Sequence, residues 1–313
     1  MADVKKIATR EAYGNALCSL AQKYDFVVLD ADLAAATKTG MFKKQYPERF
    51  FDCGIAEGNM MSVAAGIAST GKPVFASSFA MFASGRAFEQ IRNSIGYPHL
   101  NVKIGATHGG ISVGEDGATH QCNEDFALMR SIPGMVIINP CDGVEAAAAV
   151  EAALMHNGPV YMRFGRYALP ILNGDDYRFE LGKGVLMADG TDVTLVGTGF
   201  MVSTCLEARD LLAKDGISAR VVNIHTIKPI DKDILIKAAK ETGALVTAEE
   251  HTIYGGLGSA VAEVLVENYP VPMARVGVED TFGRSGTVPA LMEYYGLTAE
   301  NIAKKAKEVI AKK

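Results

Sequence analysis

The chain has 313 residues, of which 49% are hydrophobic and 21% charged, and its formal net charge is -5. This length is enough for two hydrophobic cores of roughly 120 to 180 residues each, and an acidic balance without a basic run excludes nucleic acid and anionic membranes as expected partners. No apolar stretch reaches the roughly 18 residues of a membrane span and the N-terminus lacks a signal-peptide core, so we expect a soluble cytoplasmic protein. Five scattered cysteines predict neither disulfides nor a zinc site.

Runs rich in β-formers alternate with helical patterns from end to end, which is typical of parallel sheets covered by helices. The sequence therefore predicts an α/β protein with two doubly wound domains and mainly parallel sheets. We place the domains at residues 1–170 and 192–313, with a turn-rich linker at 171–191. The predicted strands are FVVLD, RFFDCG, PVFAS, NVKIGA, MVIIN and PVYMRF in the first domain, and DVTLVGTG, ARVVNI, ALVTAEE and PMARVGV in the second.

Helical patterns fall between these strands. Thr9 is the predicted N-cap of a helix that begins at Arg10, and Asp142 is the predicted N-cap of the run that follows it. In the second domain, helices are predicted at 200–214, 231–242 and 257–269.

One acid, Glu57, stands at the head of a run of apolar or small residues that reaches Ala68. Apolar side chains in this run cover every direction around the axis, so we expect a helix that is buried on all sides. Two interpretations of Glu57 are open. It either complements the helix dipole, or it is a carboxyl group in a dry cleft that binds a protonated ring nitrogen or acts as an acid or base.

The segment IGATHGGISVGEDGATHQCNEDF follows a predicted strand, where open α/β sheets bind their ligands. Ser112 matches the G-x-S-x-G elbow of serine hydrolases, but turn-forming residues follow it instead of a helix. His108, Asp116, His120 and Cys122 include metal-ligand types, but their spacing fits no compact site. The segment is otherwise a solvated surface loop, or a set of hydrogen-bonding partners for a polyhydroxylated substrate with His108 or His120 transferring protons.

Taken in order, these motifs resemble the thiamine-diphosphate enzymes of the transketolase group. The likeness runs from KIATREAYGNAL through LDADL, CGIAEGNM, SSFAMF, ATHGGISVGEDGATHQ and PCDGVE to TAEEHTIYGGLGSAV, and it implies a pyrimidine-binding domain followed by a C-terminal domain. Within the group it favours transketolase, a ketol transferase of the pentose phosphate pathway. Deoxyxylulose phosphate synthases usually carry Asp-Arg where Thr107-His108 stands, and beta subunits of 2-oxo acid dehydrogenases lack this histidine-rich segment.

The resemblance implies that Glu57 hydrogen-bonds the aminopyrimidine ring of thiamine diphosphate. The cofactor would then be the partner of a buried carboxylate for which we expect none from the protein. Phe79 and Phe82 match the aromatic wall of the family, and Asp32 matches an acid near the cofactor. A third aromatic residue of the family aligns with Gly85.

The same resemblance implies residues that bind a sugar phosphate. Arg10 and Arg163 match two phosphate-binding arginines, with Arg166 as the alternative to Arg163, because a guanidinium offers paired donors to a phosphate. A serine of the family is replaced by Ala36. The other implied contacts are His108 at the phosphate or a neighbouring hydroxyl, Asp116 at a hydroxyl, and His120 at the reacting end of the sugar.

Family members hold the diphosphate and its metal through Gly-Asp-Gly and a later asparagine, on a domain that precedes these two. No Gly-Asp-Gly occurs in this sequence, so we expect no metal site here. A separate N-terminal subunit would supply the Mg²⁺ or Ca²⁺ site, and both kinds of chain would assemble into a heterotetramer with paired active sites. A non-catalytic scaffold or regulatory subunit is the alternative from another class.

Overall fold

The computed structural model describes residues 5–174 and 176–313. Its strands are β1 (Lys6–Ala8), β2 (Val27–Asp30), β3 (Phe50–Asp52), β4 (Val74–Phe79), β5 (Val102–Thr107), β6 (Val136–Ile138), β7 (Val160–Phe164), β8 (Ala168–Pro170), β9 (Val185–Ala188), β10 (Val193–Gly197), β11 (Ala219–Asn223), β12 (Thr226–Lys228), β13 (Leu245–Thr252) and β14 (Met273–Val278). Its α-helices are α1 (Thr9–Leu20), α2 (Ala34–Thr37), α3 (Gly40–Gln45), α4 (Glu57–Ala68), α5 (Phe88–Gln90), α6 (Asp125–Arg130), α7 (Gly143–Met155), α8 (Met201–Lys214), α9 (Lys232–Thr242), α10 (Leu257–Asn268), α11 (Val288–Tyr294) and α12 (Ala299–Ile310). Shorter turns are π-helical at Met81–Arg86 and Ile91–Gly96, and 3-10 at Pro47–Arg49 and Ile111–Asp116.

Two main sheets form the framework of the described residues. The first has the strand order β12-β6-β7-β5-β4-β2-β3 and is parallel except for β12. The second has the order β14-β13-β10-β11-β9 and is parallel except for β9. Side chains alternate between the two faces of a strand, so that Val28 and Leu29 on β2 belong to different cores. Each sheet has a core on both faces, which confirms the predicted α/β class and double winding.

Strands β9 and β12 differ from the domain organisation expected from the sequence. β9 lies inside the predicted linker 171–191 and pairs antiparallel with β11 in the second sheet. β12 comes from the second half of the chain, yet it pairs with β6 at the edge of the first sheet. β12 has three residues, too few to show a period. The domain bounds 1–170 and 192–313 remain a prediction. β12 lies within the second range but pairs with a strand of the first.

The two N-cap predictions have different outcomes. Asp142 Oδ1 accepts a hydrogen bond from the Glu145 backbone N–H at 2.8 Å, which confirms this cap. Helix α1 instead begins at Thr9, one residue earlier than expected. The Thr9 hydroxyl oxygen accepts a hydrogen bond from Gly165 N at 2.8 Å. It thereby ties the start of α1, where Arg10 lies, to the end of β7.

Helix α4 is buried on one side only, so the expectation of burial on all sides was wrong. Met60, Met61 and Ala64 face the core of the first sheet. The opposite side carries a row of small or uncharged residues that is exposed: Asn59, Ser62, Val63 and Gly66. Without a charged residue in this row, the sequence did not distinguish it from the buried side.

All five cysteines are unbridged; four are buried, and Cys53 is half-buried. Among residues 5–174 and 176–313, no helix combines the length and the apolar character needed to cross a bilayer.

Candidate active site

The predicted site residues gather at one edge of the first sheet. β2, β4, β5 and β7 are parallel neighbours, so their carboxyl ends lie at the same edge. Phe79 ends β4, His108 follows β5, and Arg166 lies two residues beyond β7. Glu57 reaches the same region as the first residue of α4, which follows β3.

The Glu57 carboxylate is buried, with 1% of the residue exposed. Arg86 Nη1 donates a hydrogen bond to Glu57 Oε2 at 2.8 Å, so the expectation that the protein offers this carboxylate no partner was wrong. The other oxygen, Oε1, accepts a long hydrogen bond of 3.5 Å from the Ser78 hydroxyl. One carboxylate oxygen is therefore weakly engaged and can accept a stronger hydrogen bond.

Phe79 and Phe82 form an aromatic wall at this sheet edge. The rings of Phe79 and Phe82 are nearly parallel, at 11°, with centroids 5.7 Å apart. His108 stacks on Phe79 at 3.8 Å, and His120 approaches Phe82 edge-on at 5.4 Å. The Arg86 guanidinium lies 4.8 Å from the centre of the Phe82 ring. This arginine thus contacts both the acid and the aromatic wall.

The aminopyrimidine implied by the family resemblance fits this arrangement. The Arg86 guanidinium is a planar cation that donates to Glu57 and lies over Phe82, and a protonated aminopyrimidine is likewise planar and offers N–H donors. Glu57, Phe79 and Phe82 are the residues that would hold it. Asp32 is exposed in the turn after β2, where its backbone N–H donates to the Asp52 carboxylate at 3.1 Å.

His108 is held as a neutral imidazole. Arg10 Nη1 lies 3.0 Å from His108 Nε2, and Thr107 Oγ1 lies 2.8 Å from Nδ1. A guanidinium only donates, so Nε2 accepts and the proton is on Nδ1. Burial, followed by the positive charges of Arg10 and Arg166, lowers the pKa of His108 to about 3. This geometry favours His120 over His108 as the proton-transferring residue.

We expect His108 to remain neutral throughout the physiological pH range, because its pKa in the folded chain is about 3. An unfolded histidine titrates near pH 6.5, so between about pH 6.5 and 3 the unfolded chain binds one more proton than the folded chain. Acidification through this window should therefore lower the free energy of unfolding. NMR of the imidazole nitrogens and urea denaturation measure the two effects. His108→Asn should lose less stability on acidification than the wild type, and a folded-state titration near pH 6.5 would contradict the assignment.

Two arginines form a cationic cluster with His108. Arg10 Nη1 donates to the Ala36 carbonyl oxygen at 2.9 Å, and Arg166 Nη1 donates to the Val113 carbonyl oxygen at 2.7 Å. Arg166 Nη1 also lies 3.4 Å from the Asp116 carboxylate. Burial, followed by the nearby charge of Arg166, lowers the pKa of Arg10. Such a pair favours an anion between or beside its members.

Arg163 does not belong to this cluster. It is 3% exposed, and it donates to the carbonyl oxygens of Glu250 and Cys122, each at 2.7 Å. Its Nε lies 3.0 Å from the buried Asp125 carboxylate. Arg163 lies within β7 and both of its Nη groups donate to protein carbonyl oxygens, whereas Arg166 follows the strand end. The structure therefore favours Arg166, the alternative, over Arg163 for a substrate phosphate.

The two other interpretations of the histidine-rich segment find no support in its geometry. Ser112 is buried in the 3-10 turn Ile111–Asp116 and does not open an α-helix, as a hydrolase elbow would require. Over the described parts of the chain, no three or more His, Cys, Asp or Glu side chains are arranged to hold a metal ion.

His120 is half-buried, with Nδ1 2.9 Å from the Thr119 hydroxyl.

Two protein-family models match the chain: transketolase, pyrimidine binding domain, over residues 5–171, and transketolase, C-terminal domain, over 182–302. The chain belongs to the transketolase family. The resemblance read from its motifs is confirmed, while the roles of single residues remain predictions.

Among its relatives in the transketolase family, a transketolase C-terminal section of Methanocaldococcus jannaschii is 51% identical over 97% of this chain and 96% of its own length. The 6-deoxy-6-sulfo-D-fructose transketolase subunit SqwH of a Clostridium species is 46% identical over 97% and 95%. A solved split gene transketolase, described as an inactive beta4 tetramer, has a TM-score of 0.90 at 51% identity and covers 98% of this chain and 99% of that one. The chain spans only 50% of the transketolase of Rattus norvegicus, to which it is 37% identical over 98% of its own length.

The sequence alone did not indicate two further residues of this candidate site. Arg86 follows Phe82 by four residues, a helical spacing that can place a cation over a ring. Lys38 lies in a left-handed conformation after α2, and its charge also lowers the pKa of His108. The sequence signal for Lys38 was its position two residues after Ala36, where the family has a serine.

Proposed function

We propose that this chain is the C-terminal subunit of a split transketolase, which transfers a two-carbon ketol unit from a ketose phosphate to an aldose phosphate. The observation that supports this most strongly is the pairing of two features on one sheet edge. One is the buried Glu57 carboxylate beside Phe82, and the other is the cationic cluster of Arg10, His108 and Arg166.

The relatives support an enzyme over a scaffold. Two of them are named as transketolase parts, one of them acting on a sulfonated sugar. The Methanocaldococcus relative is named a C-terminal section and is matched over 96% of its own length, which supports a separate N-terminal partner. The related tetramer described as inactive consists of beta chains, which is consistent with a need for that partner and with self-association.

In this proposal, Glu57, Phe79 and Phe82 hold the aminopyrimidine of thiamine diphosphate. When bound, the cofactor supplies the nucleophilic carbon that ketol transfer requires. Glu57 keeps a proton at the ring nitrogen, and burial strengthens this hydrogen bond because water does not compete. The diphosphate and its Mg²⁺ or Ca²⁺ would be held by the N-terminal subunit, because these cations prefer oxygen ligands and the described residues offer no cluster for them.

At the substrate, Arg10 and Arg166 bind the terminal anion, and neutral His108 adds a hydrogen bond next to them. Asp116 accepts from a sugar hydroxyl close to Arg166. His120, edge-on to Phe82, moves the proton at the reacting end of the sugar.

Co-expression tests the proposal. The chain and a candidate N-terminal partner are purified together, supplied with thiamine diphosphate and Mg²⁺, and assayed for ketol transfer between sugar phosphates. We expect activity from the pair and none from either chain alone. A stable pair that binds the cofactor but never turns over would support the scaffold. A pair that binds no thiamine diphosphate would exclude the proposed cofactor.

Arg166→Ala should raise KM for phosphorylated sugars about 10- to 100-fold, because a charge-assisted hydrogen bond contributes roughly 1.5–3 kcal/mol. The value of kcat should change little, since Arg166 lies away from the aromatic wall and contacts Val113 and Asp116. Steady-state kinetics with a phosphorylated and an unphosphorylated acceptor measures the effect. Equal losses with both acceptors would show that Arg166 does not bind the phosphate.

A further inference from the structure

We propose that the second domain sets the shape of the substrate loop, residues 108–122, through Glu250, which acts as a positioning residue for Asp116 and His120. This rests on the proposed function, because the substrate loop carries the residues assigned to the sugar.

The substrate loop has little regular structure of its own. Four of its residues have positive φ angles: His108, Gly110, Gly114 and Gly117. Its two ends are joined where Gly110 N donates to the Cys122 carbonyl oxygen at 2.8 Å. A segment with this backbone needs contacts from outside to hold a single path.

Glu250, on β13 of the second sheet, contacts the beginning of the substrate loop. Its buried Oε1 accepts a hydrogen bond from the Ser112 backbone N–H. The contact is so close that a Cβ at Gly110 would collide with this carboxylate, which explains the glycine there. The second domain therefore fixes the backbone four residues before Asp116.

Glu250 also reaches the end of the substrate loop, through Arg163. The Glu250 carbonyl oxygen accepts from Arg163 Nη1 at 2.7 Å, and Arg163 Nη2 donates to the Cys122 carbonyl oxygen at 2.7 Å. One residue of β13 is thus linked to both ends of the segment that carries Asp116 and His120.

Two further contacts attach the substrate loop to the second domain. Ile111 is fully buried in the core of the second sheet. The Gln121 side-chain amide donates to the carbonyl oxygens of Arg284 at 2.9 Å and Gly114 at 3.2 Å. Because the loop is held on either side of Asp116, a change at its attachment should displace Asp116 and His120, and a misplacement of about 1 Å can cost roughly 100-fold in rate.

The neighbouring residue Glu249 is a matched control. It is also buried on β13, but its carboxylate accepts from the backbone N–H groups of Leu257 and Gly258 at the start of α10. Glu249 therefore anchors a helix of the second domain and not the substrate loop. Glu250→Met and Glu249→Met remove the acceptor at similar volume, and Glu250→Gln retains it.

Hydrogen–deuterium exchange of the full chain gives the first test. In Glu250→Met, amides of residues 108–122 should exchange at least about 10-fold faster, while those of 57–68 stay unchanged. Glu250→Gln should remain close to the wild type, and Glu249→Met should speed exchange in α10 instead. Unchanged exchange at 108–122, or the same loop effect from Glu249→Met, would overturn the proposal. A rapidly exchanging Ser112 amide in the wild type would also overturn it, whether or not a variant folds.

The second test uses the assembled enzyme with its N-terminal partner. Glu250→Met should raise KM for the sugar substrates about 10-fold and leave the affinity for thiamine diphosphate, measured by calorimetry, unchanged. The KM of Glu250→Gln for the same sugars should stay close to the wild-type value. Equal losses of cofactor and sugar affinity would indicate a general structural role and contradict the inference. If the wild-type pair shows no ketol transfer, the proposed function fails, whereas the exchange experiment still decides the role of Glu250 in shaping the substrate loop.

Discussion

Glu57→Gln should lower kcat for ketol transfer at least about 100-fold in the assembled enzyme, in line with the roughly 10²- to 10⁴-fold contributions of groups that handle protons. Glutamine keeps the size of the side chain but carries no negative charge. In the proposed role, it could not stabilise a proton on the ring nitrogen of a bound aminopyrimidine as the buried carboxylate would. Steady-state assays with saturating thiamine diphosphate measure the loss.

The fold should tolerate this substitution. The Arg86 side chain is 54% exposed, so water can solvate its guanidinium once the charged partner is gone. Removal of a buried charge also relieves its desolvation cost. Glu11→Gln is the control, because Glu11 is an exposed acid in the first turn of α1. If both variants stay fully active, Glu57 serves only the helix dipole and has no role with the cofactor.

Arg163→Met should lower the free energy of unfolding by about 3–5 kcal/mol, the range for breaking a buried ion pair by removal of one partner. The substitution leaves the Asp125 carboxylate buried without its cation, although the Tyr161 hydroxyl still donates to it at 2.8 Å. It also leaves the carbonyl oxygens of Glu250 and Cys122 without their donor. Urea denaturation of the purified chain measures the change.

Arg166→Met is the matched control, three residues further along the chain. Its side chain is 37% exposed and its ion pair with Asp116 is at the surface, so we expect a loss of no more than about 1 kcal/mol. Similar losses from both variants would contradict the division between a structural Arg163 and a substrate-binding Arg166. The double variant Asp125→Asn, Arg163→Met should recover part of the stability, because it leaves no unpaired buried charge.

The fold could be predicted because it depends on features that are local in the sequence. Apolar strands and helical periods alternate along the chain, and parallel strands bring the residues after them to one edge. Glu57, Phe79, Phe82, His108 and His120 are gathered there by connectivity alone. The acid at the head of an apolar helix was visible for the same reason.

What the sequence did not reveal depends on the direction of single side chains and on short segments. Arg163 and Arg166 are three residues apart with similar chemistry, and only the point where β7 ends separates a buried guanidinium from one at the surface. Arg86, which contacts Glu57, ends a π-helical turn that no residue pattern marked. Glu250 reaches the substrate loop through a backbone amide, and a backbone contact leaves no trace in residue identity.

The crossing of β12 bears on how this protein can be dissected. A fragment that stops in the turn-rich stretch before β9 would lack β12 and leave β6 as an exposed edge strand of the first sheet. The three residues of β6, Val136, Ile137 and Ile138, are buried in the complete chain. An exposed apolar edge strand of this kind can pair with other chains and cause aggregation. A division of the chain between the two sheets should therefore yield pieces that aggregate unless they are made together.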